Sequence, residues 1–143
     1  WNGSSWTETT NMNTAKDYHS NAGTQTSALA FGGEDPGGLT AKNESWNGTA
    51  WTEVNDLNTT SRNLSGCGIS TAAMAMGRYN PTASNYELVE HFNGTSWTEV
   101  ADMSTSRHST SGCGTQALGL CAGGSSNSVA TEEFSAVYTV TVE

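Results

Sequence analysis

The sequence predicts an all-β chain built from three copies of one four-stranded unit, and a spaced repeat and the composition carry that prediction. An aromatic box, Trp1 Asn2 Gly3 Ser4 Ser5 Trp6 Thr7 Glu8, returns as Trp46 Asn47 Gly48 Thr49 Ala50 Trp51 Thr52 Glu53. It returns again as Phe92 Asn93 Gly94 Thr95 Ser96 Trp97 Thr98 Glu99, at intervals of 45 and 46 residues. Self-similarity at a fixed period of this size means a repeat architecture. Hydrophobic residues are only 34% of the chain, and Ser, Thr, Asn and Gly dominate the rest. That balance suits short strands and turns, because few stretches escape a Gly or a β-branched cluster for three helical turns.

Each unit divides into four short runs separated by turn chemistry. An Asn-Gly pair between aromatic and β-branched residues predicts a type I′ hairpin, whose two central positions need positive φ. Such turns are expected at Asn2 Gly3, Asn47 Gly48 and Asn93 Gly94, preceded by extended runs such as Glu87 Leu88 Val89 Glu90. An outer strand then opens at Trp6, Trp51 and Trp97. Downstream, Asn11 Met12, Asp56 Leu57 and Asp102 Met103 align, followed by Ser/Thr clusters and a basic residue at Lys16, Arg62 and Arg107. Arg62 stands one residue late in that column. Small-residue runs follow at Ala22 Gly23, Gly66 Cys67 Gly68 and Gly112 Cys113 Gly114, the pattern of an innermost strand where backbones converge. Apolar runs from Ala28, Ala72 and Ala117 close on Gly32 Gly33, Gly77 Arg78 and Gly123 Gly124, which predicts buried strands ending in tight turns. A carboxylate, Glu44, Glu90 or Glu132, stands two residues before each following aromatic, the last of which is a degenerate start at Phe134. Residues 135–142 alternate cleanly and read as a strand.

Four strands per repeat of this length, with an aromatic at one fixed position, point to a propeller blade. The order of features resembles the kelch repeat: a basic residue after a Met and Thr/Ser segment, an apolar strand ending in Gly-Gly, an aromatic, then a Trp. The Gly-Gly falls at Gly32 Gly33 and Gly123 Gly124, the aromatic and Trp at Trp46 and Trp51, then Phe92 and Trp97. The middle copy departs with Gly77 Arg78. The box Asn-Gly-Thr-Ser-Trp-Thr-Glu-Val is also similar to repeats of large structural proteins of marine phages and bacteria. The resemblance implies kelch-like blades in a non-enzymatic structural protein of a virion, such as a phage tail fibre, or of a cell surface, serving assembly or attachment to a host receptor or glycan.

On that reading the chain divides into a stray outer strand over 1–9 and blades over about 10–55, 56–101 and 102–143, the alternating tail supplying the last outer strand. Propellers close with about four to eight blades. Three blades leave open faces, so either a second copy completes a six-bladed ring, with exchange of the stray strand, or further blades belong to a longer polypeptide.

Composition limits the partners. A net charge of −9 with five Lys and Arg offers no basic stripe to nucleic acid or an anionic membrane, and no run approaches a membrane span. Three cysteines, Cys67, Cys113 and Cys121, match no zinc spacing and read as small buried apolar groups, a disulfide between repeats or chains being the alternative. His19, His91 and His108 occupy unrelated repeat positions and form no metal motif, so neither metal nor cofactor is expected. Glu34 Asp35 Pro36 Gly37 Gly38 reads as a turn and not as a calcium loop.

Glu44, Glu90, Glu132, Glu8, Glu53 and Glu99 recur in repeated settings, whereas acid/base catalysis needs unlike environments. They are expected to be solvated or to pair with Lys16, Arg62 and Arg107 as bridges between blades. Of the Asn-x-Ser/Thr sequons at Asn2, Asn43, Asn47, Asn58, Asn63 and Asn93, three coincide with the hairpin turns. The connections Glu34 to Lys42, Arg78 to Tyr86 and Ser125 to Val129 vary between copies, and variable loops on a regular scaffold carry binding surfaces. Tyr79, Asn80 and Tyr86, with Tyr18 and His19, are the candidate contacts, because aromatics beside Asn stack on and hydrogen-bond sugars or peptides. The competing class is a subunit of a propeller enzyme, either glycan-active or of the kelch oxidase type.

Overall fold

The computed structural model describes residues 3–83, 86–125 and 128–136, so Trp1, Asn2 and most of the alternating tail lie outside the described residues. The described residues are all-β, and every strand pairing among them is antiparallel.

The first sheet begins with β1 (Ser20–Thr24) and β2 (Ser27–Phe31). A small hairpin of β3 (Glu34–Asp35) and β4 (Gly38–Leu39) is then inserted before β5 (Asn43–Trp46) and β6 (Trp51–Val54). Its order is β1-β2-β5-β6. The second sheet repeats that order with β7 (Ser65–Ile69), β8 (Ala72–Met76), β9 (Val89–Phe92) and β10 (Trp97–Glu99). The third holds β11 (Ser111–Gly114), β12 (Leu118–Ala122) and β13 (Thr131–Ser135). Phe134 sits in β13 opposite Gly119, as Phe92 sits opposite Ala73 and Trp46 opposite Ala28.

The first strands of the three sheets lie side by side, β1 against β7 and β7 against β11. Their small residues are what permits this approach. A Cβ on Gly66 would come within 2.4 Å of the Asn21 carbonyl oxygen and 2.7 Å of the Phe31 ring. One on Gly112 would come within 2.7 Å of the Met76 methyl group.

The side-chain period of two divides each sheet into two faces. Leu29 and Phe31 leave the first sheet toward Ala73, Ala75, Phe92 and Trp97 of the second, with Phe31 edge-on to Trp97 at 4.9 Å. Met74, Met76, Val89 and Cys67 leave the opposite face of the second sheet toward Cys121 and Phe134 of the third. Both internal interfaces therefore use the same repeat positions. Met12, Leu57 and Met103 hold equivalent places, and Leu57 and Met103 fill the two internal seams.

Two local expectations are corrected. The hairpins at Asn47 Gly48 and Asn93 Gly94 form, but the glycines alone take positive φ, +93° in each case, so the turns are not type I′. Instead each Asn Oδ1 accepts two backbone N–H groups at 2.9 Å, from Thr49 and Ala50 or from Thr95 and Ser96. The side chain closes a four-residue loop without needing an Asn in the left-handed region. Residues 3–9 form no strand, although Trp6 to Glu8 carries the wording of β6 and β10, and Trp6 is 85% exposed. Both β6 and β10 are paired with the hairpin strand immediately before them in the chain, β5 and β9.

Candidate functional site

The candidate site is built where each unit enters its first strand. Tyr18, Asn63 and Ser109 occupy one repeat position and are the non-glycine residues with positive φ among the described residues, at 54°, 56° and 56°. Side chains rarely adopt this left-handed conformation, and three at one repeat position mark a conformation the architecture imposes. The backbone explains why: Asn63 N donates to the Tyr18 carbonyl at 3.0 Å, and Ser109 N donates to the Asn63 carbonyl at 2.8 Å. A ladder of hydrogen bonds thus crosses the three sheets at this rim.

Side chains around the ladder form a continuous aromatic and cationic strip. The Arg62 guanidinium lies 5.3 Å from the Tyr18 ring centre and 5.2 Å from that of Tyr79, and pairs with Glu34. Tyr79 stacks on Tyr86 at 5.6 Å with 22° between planes. His108 sets its edge against both, at 4.9 Å and 5.8 Å. The backbone bridges Asp17 to Glu34 and Arg62 to Tyr79 fix each connecting loop to the segment that enters the first strand of its own sheet. Tyr18 is exposed and the other rings are half-buried, so the strip offers aromatic faces already held in place. A cation between two rings stiffens such an array at modest energetic gain.

Three of the five candidate contacts, Tyr18, Tyr79 and Tyr86, therefore come together through Arg62 and His108, two residues not singled out for this role from the sequence. Asn80 is buried in the same loop, its Nδ2 donating to the Thr60 carbonyl at 3.1 Å and its Oδ1 accepting from Thr82 N and Oγ1. It shapes the loop rather than presenting an amide. His19 leaves the rim and lines a concavity of about 1040 Å³ on the outer face of the first sheet, with Trp6, Ala28, Ala30, Trp46 and Trp51. Burial and the nearby Lys16 charge hold its imidazole below the usual histidine range.

The repeated carboxylates form a second system. Glu44 is fully buried, accepts Asn13 N at 2.7 Å and Thr14 N at 3.1 Å, and lies 4.0 Å from Lys16 Nζ. Glu132 accepts Ser104 N at 2.6 Å and Thr105 N at 3.2 Å and pairs with Arg107 at 2.7 Å. Burial works to raise the Glu132 carboxyl, but the Ser104 bonds, the Arg107 charge and Thr105 N together hold it below the ordinary range. Glu90 accepts Asn58 N and Nδ2, both at 2.9 Å. Its cation is Arg78 at 3.7 Å, which corrects the expected pairing with Arg62. The column of Lys16 and Arg107 holds Ser61 in the middle copy, and Arg78 fills the vacancy from the second position of the Gly-Gly. These three pairs lie within their own units. The bridge between units is Arg62 to Glu34, a correction to the expected role of the strand carboxylates. Glu8, Glu53 and Glu99 are exposed.

Among the described residues no three His, Cys, Asp or Glu side chains converge on a point. Cys67 and Cys121 are buried and Cys113 exposed, all as free thiols, and burial, reinforced by the other two cysteines, pushes the Cys67 thiol up to about 11. Comparison with protein-family models and with curated proteins returns no match.

Proposed function

We propose that the chain is a non-enzymatic structural and binding module of a virion or cell surface, its three sheets arranged as kelch-like propeller blades and its rim used for attachment to neutral glycans. The observation that carries this reading is the contrast between repetition and departure. The ionisable groups of the interior recur in like settings, each Glu closing a turn and meeting one cation. Such uniformity supports scaffold use, because catalysis sets unlike groups against each other. The rim strip of Tyr18, Arg62, Tyr79, Tyr86 and His108 instead breaks the repeat. Its stacked, part-exposed rings suit the apolar faces of sugar rings, and the acidic chain disfavours an anionic ligand. The side-by-side first strands support a radial arrangement.

The test is binding of neutral oligosaccharides to the intact chain, followed by Tyr79→Ala/Tyr86→Ala with the fold checked by circular dichroism. Loss of binding with an unchanged spectrum is expected; unchanged binding removes the rim from the site.

A further inference from the structure

We infer that the outer faces of the first and third sheets bind each other between two copies of this chain, closing one ring of six sheets. This rests on the blade reading above and names the partner that completes it.

The two outer faces are the two halves of the interface that the chain already builds twice. Inside the molecule, the donating face presents Leu29 and Phe31, or Met74, Met76 and Cys67. The receiving face presents Ala73, Ala75, Phe92 and Trp97, or Gly119, Cys121 and Phe134. On the outer side of the first sheet the receiving positions are Ala28, Ala30, Trp46 and Trp51, which line the large concavity. On the outer side of the third sheet the donating positions are Cys113 and Leu120, with Leu118 beside them, 64% exposed. Large apolar groups stand on one end face, and small residues backed by two indoles stand on the other. Glu133, also on the third sheet's outer face, takes the position of His91.

The rim ladder points the same way. Asn63 N bonds the Tyr18 carbonyl and Ser109 N bonds the Asn63 carbonyl, so one further step joins Tyr18 N of one copy to the Ser109 carbonyl of the next. The three left-handed residues share one conformation, which leaves both ends of the ladder set for that step.

Blade arithmetic then selects the stoichiometry. A contact between unlike faces closes only if the rotation returns to its start. Rings hold about four to eight blades, so two three-sheet chains fit within one ring, whereas three would overshoot it.

The experiment is sedimentation equilibrium of the chain, with thiol titration by Ellman's reagent on the same samples and on Leu120→Glu. The expected result is a mass twice 15.0 kDa. Cys113 becomes protected, as Cys67 is, and turns reactive on dilution. Leu120→Glu gives a monomer with Cys113 reactive and an unchanged β-sheet spectrum. A folded monomer at all concentrations overturns the inference while leaving the scaffold reading standing. A dimer with Cys113 reactive, or one that persists in Leu120→Glu, places the contact elsewhere and overturns it. Open polymers overturn closure. Small-angle scattering of the dimer reads the blade arrangement separately: a disc supports it, and a rod counts against both readings.

Discussion

Removing the Lys16 ammonium should cost the fold far more than removing any surface charge. Lys16 and Glu44 side chains are both 0% exposed, and Lys16 Nζ also donates to the Ala30 carbonyl at 3.0 Å and the Lys42 carbonyl at 3.1 Å. Burial pulls the Lys16 pKa down, opposed chiefly by the Glu44 charge, so the ammonium is poorly solvated and depends on these partners. Lys16→Met keeps the stem length and leaves Glu44 with only the Asn13 and Thr14 N–H groups. Breaking a buried pair from one side costs about 3–5 kcal/mol. The two retained N–H bonds place this case near 3 kcal/mol, roughly a 1.5 M fall in urea midpoint for an m-value of about 2 kcal/mol/M. The control is Lys42→Met, whose partner Asp35 is at 3.2 Å but whose side chain is 39% exposed, for which a loss of about 1 kcal/mol or less is expected. Both are compared by urea unfolding at one protein concentration, since association raises apparent stability. A Lys16→Met loss no larger than that of Lys42→Met would refute the reasoning, because it would mean that the pair is solvated.

Three other outcomes follow from the same geometry. Arg78→Gly restores the Gly-Gly wording yet should destabilise by about 3 kcal/mol, because Glu90 loses its cation; adding Ser61→Lys should recover most of it, and a double variant no more stable than the single would discredit the exchange. Burial holds His91 below its ordinary value of 6.5, with its ring 4.9 Å from Phe134 and Nε2 without a hydrogen-bond partner. The unfolded chain then takes up the proton first, so stability should fall as pH drops through about 6.5, and His91→Gln should flatten that fall; parallel urea midpoints against pH for both proteins would exclude His91 as the cause. Gly66→Ala should cost about 2–3 kcal/mol, because its methyl meets the Asn21 backbone, and thermal unfolding should show it well above Gly37→Ala, whose closest contact is the Asp35 side chain at 3.1 Å.

Much of the fold was legible because repetition turns one reading into three. The aromatic box located the β5 to β6 and β9 to β10 hairpins, and small residues marked β1, β7 and β11 as crowded. Turn type was not legible, because Asn can supply either its left-handed backbone or its side-chain oxygen, and only the fold shows that it supplies the oxygen. Strand formation at 3–9 is not legible either: Trp6 to Glu8 has the wording of β6 and β10, but β propensity depends on context more than on wording. At the rim, aromatic type and loop variability singled out Tyr18, Tyr79 and Tyr86. Their companions Arg62 and His108 carry no such mark, because the basic column points Arg62 toward a carboxylate and His108 stands at no recurring position.

The two irregularities in the middle copy are one structural event. A cation at position 61 would lie in the interior beside Glu90, as Lys16 lies beside Glu44, but Ser61 occupies that place with 1% exposure. One residue on, Arg62 is carried to the rim, where Tyr18, Tyr79 and Glu34 receive it. Glu90 would then be buried without a cation, and that is costly unless a new one arrives. Arg78 arrives from the second glycine position, and its backbone leaves the left-handed region that Gly33 and Gly124 occupy, at φ +104° and +121°. The interior pairing is thereby kept in all three units while one cation is released to join the rim rings.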